Sequence, residues 1–187
     1  NVSVISNVPR ICLNFIEWSL SDISVIIALG FDDNRADRLF HLLNEKQVLS
    51  VEDNKNIQLD VRDNEWFIMR DALLTGDMNL STRVAKDAYE VLKKWDGFSN
   101  VNAVGPTVYS SWLVDLSHAI YNPQNQSQPS WGKISFDDQY VLYVLTHESE
   151  AKMLGYDSIA DLKSKTFMSA MERLQNRLGA NVDNWLW

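Results

Sequence analysis

Residues 81–97 read STRVAKDAYEVLKKWDG. Val84, Ala88, Val91, Leu92 and Trp95 stand at offsets of 0, 4, 7, 8 and 11, so they fall along one side of a helix with 3.6 residues per turn. A half-buried strand would alternate apolar and polar residues, and this run does not. Asp96-Gly97 supplies the turn that ends it. A helix with one apolar face must cover that face, so the stretch predicts a packed helical assembly.

The flanking sequence extends the pattern. On the N-terminal side, Ser50 and Asp53 have capping-box spacing, and the helix they open is predicted to run to Leu74, with Gly76 near its stop. Before it, Asn34 is placed as an N-cap for RADRLFHLLNEK, with Leu39, Leu42 and Leu43 as its apolar stripe. On the C-terminal side, Pro106 suits the first turn of a helix carrying Val108, Tyr109, Trp112, Leu113, Leu116, Ala119 and Ile120 on one wide face. Asn122 to Gly132 (NPQNQSQPSWG) reads as a loop, within one domain or between lobes. Ser135 and Asp138 look like the cap of the run Tyr140 to Glu148. The last helix starts near Ser158, shows Ile159, Leu162, Met171, Leu174 and Leu178 on its face, and closes at Gly179.

The expected fold is therefore mainly α: a multi-helix domain of six helices over residues 34–187, with a lobe boundary at 122–132 as one option. Residues 1–33 are expected to form a short extended and apolar segment with little or no β structure. Val2 to Ser6 alternates weakly, Pro9 interrupts it, and Ile23 to Leu29 fits either a strand or a buried helical turn.

Composition narrows the function classes. The chain is 45% hydrophobic and carries seven Trp, which a disordered chain does not. Its net charge of -8 argues against nucleic-acid binding. The apolar run Ile11 to Gly30 contains Glu17 and Asp22, so it is not expected to span a membrane, and it lacks the basic start of a signal peptide. Cys12 is the only cysteine, which excludes an intrachain disulfide and a Cys-based metal site. His41, His118 and His147 lie too far apart for a local metal motif. N-x-S/T triplets stand at Asn1, Asn79 and Asn125 and matter only in a glycosylating compartment.

No G-x-S-x-G elbow and no glycine-rich phosphate loop is present. The carboxylate pairs Asp32-Asp33, Glu52-Asp53 and Asp137-Asp138 lie at helix starts, where capping explains them. Trp95 and Trp112 fall on core faces. Trp131, Trp185 and Trp187 lie near a loop or the chain end and are read as seats for further protein. Taken by themselves, the residues describe an acidic helical domain without a self-sufficient active site.

Four segments, in order, resemble the penicillin acylase family of N-terminal nucleophile hydrolases. Arg35-Ala36-Asp37-Arg38-Leu39 followed by Leu42-Leu43 is similar to its R-A-x-R-I-x-x-L-L helix. Ser50 to Asp60 (SVEDNKNIQLD) resembles a helix start ending in Q-x-D. Leu92 to Gly97 (LKKWDG), with Trp112 fifteen residues after Gly97, resembles L-x-x-W-D-G and the Trp helix beyond it. Leu174 to Trp187 (LQNRLGANVDNWLW) is similar to L-x-x-x-L-G-x-x-x-x-x-W-x-W.

The resemblance implies amide hydrolysis by a Ser freed at the start of the large chain, with its own α-amine as base and with backbone N–H groups and an Asn side chain stabilising the oxyanion. It implies no cofactor in this chain, and a calcium ion bridging the chains of the complete enzyme. Two site residues carry over: Arg35, the first Arg of the motif, which in relatives helps hold the oxyanion Asn, and Asn7, placed as that Asn. The sequence departs from the family in starting with Asn1, whose amide is neither basic nor nucleophilic, and in having only 34 residues before Arg35. The expectation is thus a fragment or split-gene subunit, inactive alone, whose partners are the missing acylase chains or a second copy of itself. The alternatives are a free-standing helical interaction module and an unrelated helical protein that binds a small molecule.

Overall fold

The computed structural model describes residues 34–121 and 138–187. The readings made for Val2 to Ser6, Asn7, Cys12, the 11–30 run, the 122–132 loop and Ser135 lie outside them. Eight α-helices follow one another among the described residues: α1 Asn34–Asn44, α2 Val51–Gln58, α3 Asn64–Leu74, α4 Arg83–Lys94, α5 Gly105–Tyr121, α6 Asp138–Thr146, α7 Glu148–Met153 and α8 Ile159–Leu178. A single 3-10 turn, Val182–Asn184, comes after them. Among the described residues no strand forms; one antiparallel bridge joins Arg62 to Phe98. The chain is mainly α, as the helical periodicity predicts.

The core is built around α5 and α8, the most extensive helix pair. Val108, Tyr109, Trp112, Leu116 and Ile120 of α5 meet Leu162, Phe167, Ala170, Met171 and Leu174 of α8 in one buried cluster. Sequence signals fix the ends of α8. Ser158 accepts a hydrogen bond from Asp161 N–H, and Gly179 closes the helix at φ 90°. Lys163, also on α8, is buried and donates to the carbonyls of Ala72, Leu73 and Thr75, so a cation from one helix satisfies the C-terminal carbonyls of α3. Burial holds its pKa below the usual lysine value.

Four sequence expectations are corrected. The helix predicted from Ser50 to Leu74 is two helices. The capping box at Ser50 and Asp53 forms as expected. The chain leaves helical geometry after Gln58, however, because Asp60 turns to Arg38 and Asp63 starts α3 as a new N-cap, accepting from Trp66 N–H at 2.9 Å. Beyond His147 the short helix α7 was not foreseen; Glu148 and Glu150 in its first turn suit a positive helix end. The face of α4 is rotated from the one predicted. Ala85, Ala88 and Leu92 are buried, while Val84, Val91 and Trp95 are half-buried. Two alanines let α4 approach α8 closely, and the larger residues line the rim. Trp185 is not a seat for other protein: it is fully buried in this chain's own core, its Nε1 donating to Gly179 O at 2.9 Å.

The W-D-G turn has a packing reason. Trp95 leaves α4 with extended backbone, and its Nε1 donates to Phe98 O at 3.0 Å. Its ring lies 5.0 Å from that of Trp66 and 5.6 Å from that of Tyr109. Gly97 takes φ 80°, a conformation that favours glycine. A Cβ on Gly105 would fall inside the Trp95 ring, so the indole and the start of α5 fit only with glycine there. Trp95→Ala is expected to cost about 2–3 kcal/mol, below the full value for a buried Trp because the ring is half-buried. Urea unfolding measures it, and a loss under about 1 kcal/mol would refute the packing assignment.

Candidate functional site

Arg35 and Arg38 stand one helical turn apart on α1 and reach the link between α2 and α3. Arg35 Nη1 donates to the Asp60 carbonyl at 2.8 Å, and its Nη2 lies 3.4 Å from the Ile57 carbonyl. These are last-turn and link carbonyls of α2, which a cation suits. Arg38 grips the Asp60 carboxylate with two bonds, Nη2 to Oδ2 at 2.8 Å and Nε to Oδ1 at 3.2 Å. The same carboxylate accepts from Arg62 N–H at 3.3 Å. Asn64 Nδ2 donates to Asn34 O at 3.0 Å, a second tie between the start of α1 and the start of α3.

The two arginines differ in exposure. The side chains of Arg38 and Asp60 are 14% and 11% exposed, whereas that of Arg35 is 44% exposed. A cleft of about 430 Å³ opens there, lined among others by Arg35, Asp60, Asp63, Asn64, Glu65 and Trp187. A guanidinium offers a planar fork of N–H donors and no acceptor, so this side chain can hold a carbonyl or amide oxygen. The arrangement positions groups; it does not activate a nucleophile.

The hydrogen bonds from Arg38 are the main cause holding Asp60 below the usual carboxylate pKa. The sign follows: a depressed pKa contributes stability that is complete above about pH 4, the unfolded value, and is lost as pH falls through the lower folded one. Asp60→Asn is expected to cost on the order of 1–3 kcal/mol at neutral pH, the scale of a hydrogen bond to a charged group. The gap between the wild type and this variant should narrow as pH falls from about 5 toward 3. Urea midpoints across that range measure it; a gap independent of pH would contradict the ionic role.

Of the two residues predicted for the site, Arg35 lines this cleft and Asn7 lies outside the described residues. What the sequence reading missed is the pairing of Arg38 with Asp60. Both residues belong to quoted motifs, but they lie 22 residues apart, and no local spacing links them. A larger open groove of about 950 Å³ runs between residues 77–82 and α8, lined by polar groups including Asn79, Ser81, Thr82, Ser164 and Glu172. Asn79 N–H donates to Ser164 Oγ at 2.9 Å on its wall. His147 packs locally instead, stacked on Tyr143 at 4.0 Å with Nδ1 2.8 Å from the Tyr143 carbonyl.

Among the described residues, no group of three His, Cys, Asp or Glu side chains is placed to hold a metal ion. Among the same residues, no helix is long and apolar enough to cross a membrane. The chain matches no curated protein and no solved structure. It does match the model of the penicillin amidase family, over residues 13–187. That match takes in every helix described above together with the Arg35 cleft, and the chain belongs to the penicillin amidase family.

Proposed function

We propose that this chain is the helical scaffold of the nucleophile-bearing part of an amide hydrolase that cleaves linear C–N bonds. The observation that carries this reading is the family match from residue 13 to residue 187. In this reading the chemistry is that of an N-terminal nucleophile hydrolase. A Ser hydroxyl outside these 187 residues, in the same polypeptide or a partner chain, attacks the acyl carbon, and the amine leaves as the C–N bond breaks.

Arg35 acts as a positioning residue. Its bonds to the Asp60 and Ile57 carbonyls tie the guanidinium to the α2–α3 link. In this role its partner is the side-chain oxygen of an Asn whose amide N–H points at the oxyanion; Asn7 is the candidate from sequence alone and lies outside the described residues. Calcium, if the complete enzyme uses it, bridges chains and is not asked of these residues. The partners of this reading are the remaining acylase chains.

A second reading, a free-standing helical interaction module, draws on one observation: Phe40, Val48, Val51 and Leu59 on and beside α1 and α2 are exposed. Assay of the purified chain separates readings at the chemical step. With a chromogenic phenylacetyl amide, no turnover is expected from the chain alone. Turnover by the chain alone that a serine-directed reagent abolishes would overturn the proposal that the nucleophile lies elsewhere.

A further inference from the structure

Neither α1 nor α2 buries a single residue, whereas α3, α4, α5 and α8 each bury at least three. The two helices are nevertheless tied to each other. They are in contact, and Lys46 Nζ, in the link between them, meets Asp53 Oδ1 of α2 at 2.5 Å, while Asp53 also closes the capping box at Ser50. Side-chain bonds between α1 and the chain beyond α2 converge on Asp60, in the link Leu59–Asp63, and on Asn64, the first residue of α3. We infer that α1 and α2 form a hinged strap, latched by the grip of Arg38 on the Asp60 carboxylate, that opens as a unit while the helical core stays folded.

The physical reason is local stability. Segments with few buried apolar contacts open at a fraction of the global unfolding free energy. Here the burial that resists opening lies in α3 to α8, and the charged bonds at Asp60 supply much of what holds the strap. Opening the strap carries Asn34 and Arg35, which line one side of the cleft, away from Asp63, Asn64 and Glu65, so the latch sets how long that cleft persists.

Hydrogen exchange followed by mass spectrometry on the full chain tests this. Exchange in α5 and α8 reports on the core in the same experiment, because both helices lie in the buried cluster. Amides of residues 37–58 are expected to exchange at least about 100-fold faster than those of α5 and α8. Asp60→Asn and Arg38→Gln are each expected to speed exchange in 37–58 by about tenfold further, the scale of one charged hydrogen bond; both weaken the closed state, so α5 and α8, which exchange through global opening, speed by no more than the same factor. Protection of 37–58 within about tenfold of α5 would overturn the strap. A urea dependence of exchange in 37–58 as steep as that of α5 and α8 would overturn independent opening, because a strap that opens alone exposes far less surface. No acceleration in either variant would overturn the latch.

Discussion

Trp112→Ala is expected to lower the stability of the chain by roughly 4–5 kcal/mol, the upper end of the range for a buried aromatic. Trp112 is fully buried at the centre of the α5–α8 pair. Its ring meets Phe167 edge-on at 4.9 Å, and its Nε1 donates to Thr166 Oγ1 at 3.1 Å. Truncation therefore removes a large apolar volume and a buried hydrogen bond together. Neighbouring Tyr89, which packs on Phe167 at 5.7 Å, cannot fill the space without leaving Leu74 O, to which its hydroxyl donates. Guanidinium unfolding measures the effect; a loss below about 2 kcal/mol would mean that the α5–α8 interface is not the centre of the core.

Arg173→Met is expected to cost about 3–5 kcal/mol, for an electrostatic reason. Asp115 of α5 is 4% exposed, and its Oδ1 is held by Arg173 Nη1 of α8. Arg173 Nη2 also donates to Ser111 O at 3.0 Å and Ser111 Oγ at 2.9 Å. Asp115 Oδ2 has no other partner. Without the guanidinium a carboxylate is left in low-dielectric surroundings, and burying an unpaired charge costs several kcal/mol. Asp115→Asn in the Arg173→Met background should therefore recover at least about 1 kcal/mol, since a neutral amide tolerates the site better. Strict additivity of the two substitutions would refute the pairing.

The legible parts of the fold are those with a local signal. For α5 it is the wide apolar face from Val108 to Ile120, and for α8 it is Ser158 and Gly179 at the ends. The break at Leu59–Asp63 was not legible because its cause is long-range: Arg38 lies 22 residues from Asp60, and nothing near Asp60 announces the partner. The rotation of α4 has a similar origin. Periodicity marks an apolar arc, but the distance of the facing helix decides whether Val84 or Ala85 points inward. The burial of Trp185 was not legible because a position near the chain end says nothing of the core that the last turn brings it to. At the site, Arg35 was legible as part of a motif. Its bonds to the Ile57 and Asp60 carbonyls were not, since they exist only where α2 ends.

The central proposal is that this chain is the scaffold of an amide hydrolase whose nucleophile lies outside these 187 residues. The direct measurement is hydrolysis of a chromogenic phenylacetyl amide by the purified chain mixed with a lysate of its source, as a supply of partner chains, across a range of ratios. The account predicts a rate above that of the lysate alone, rising with added chain and saturating. A rate equal to that of the lysate at every ratio would contradict a nucleophile supplied by a partner chain.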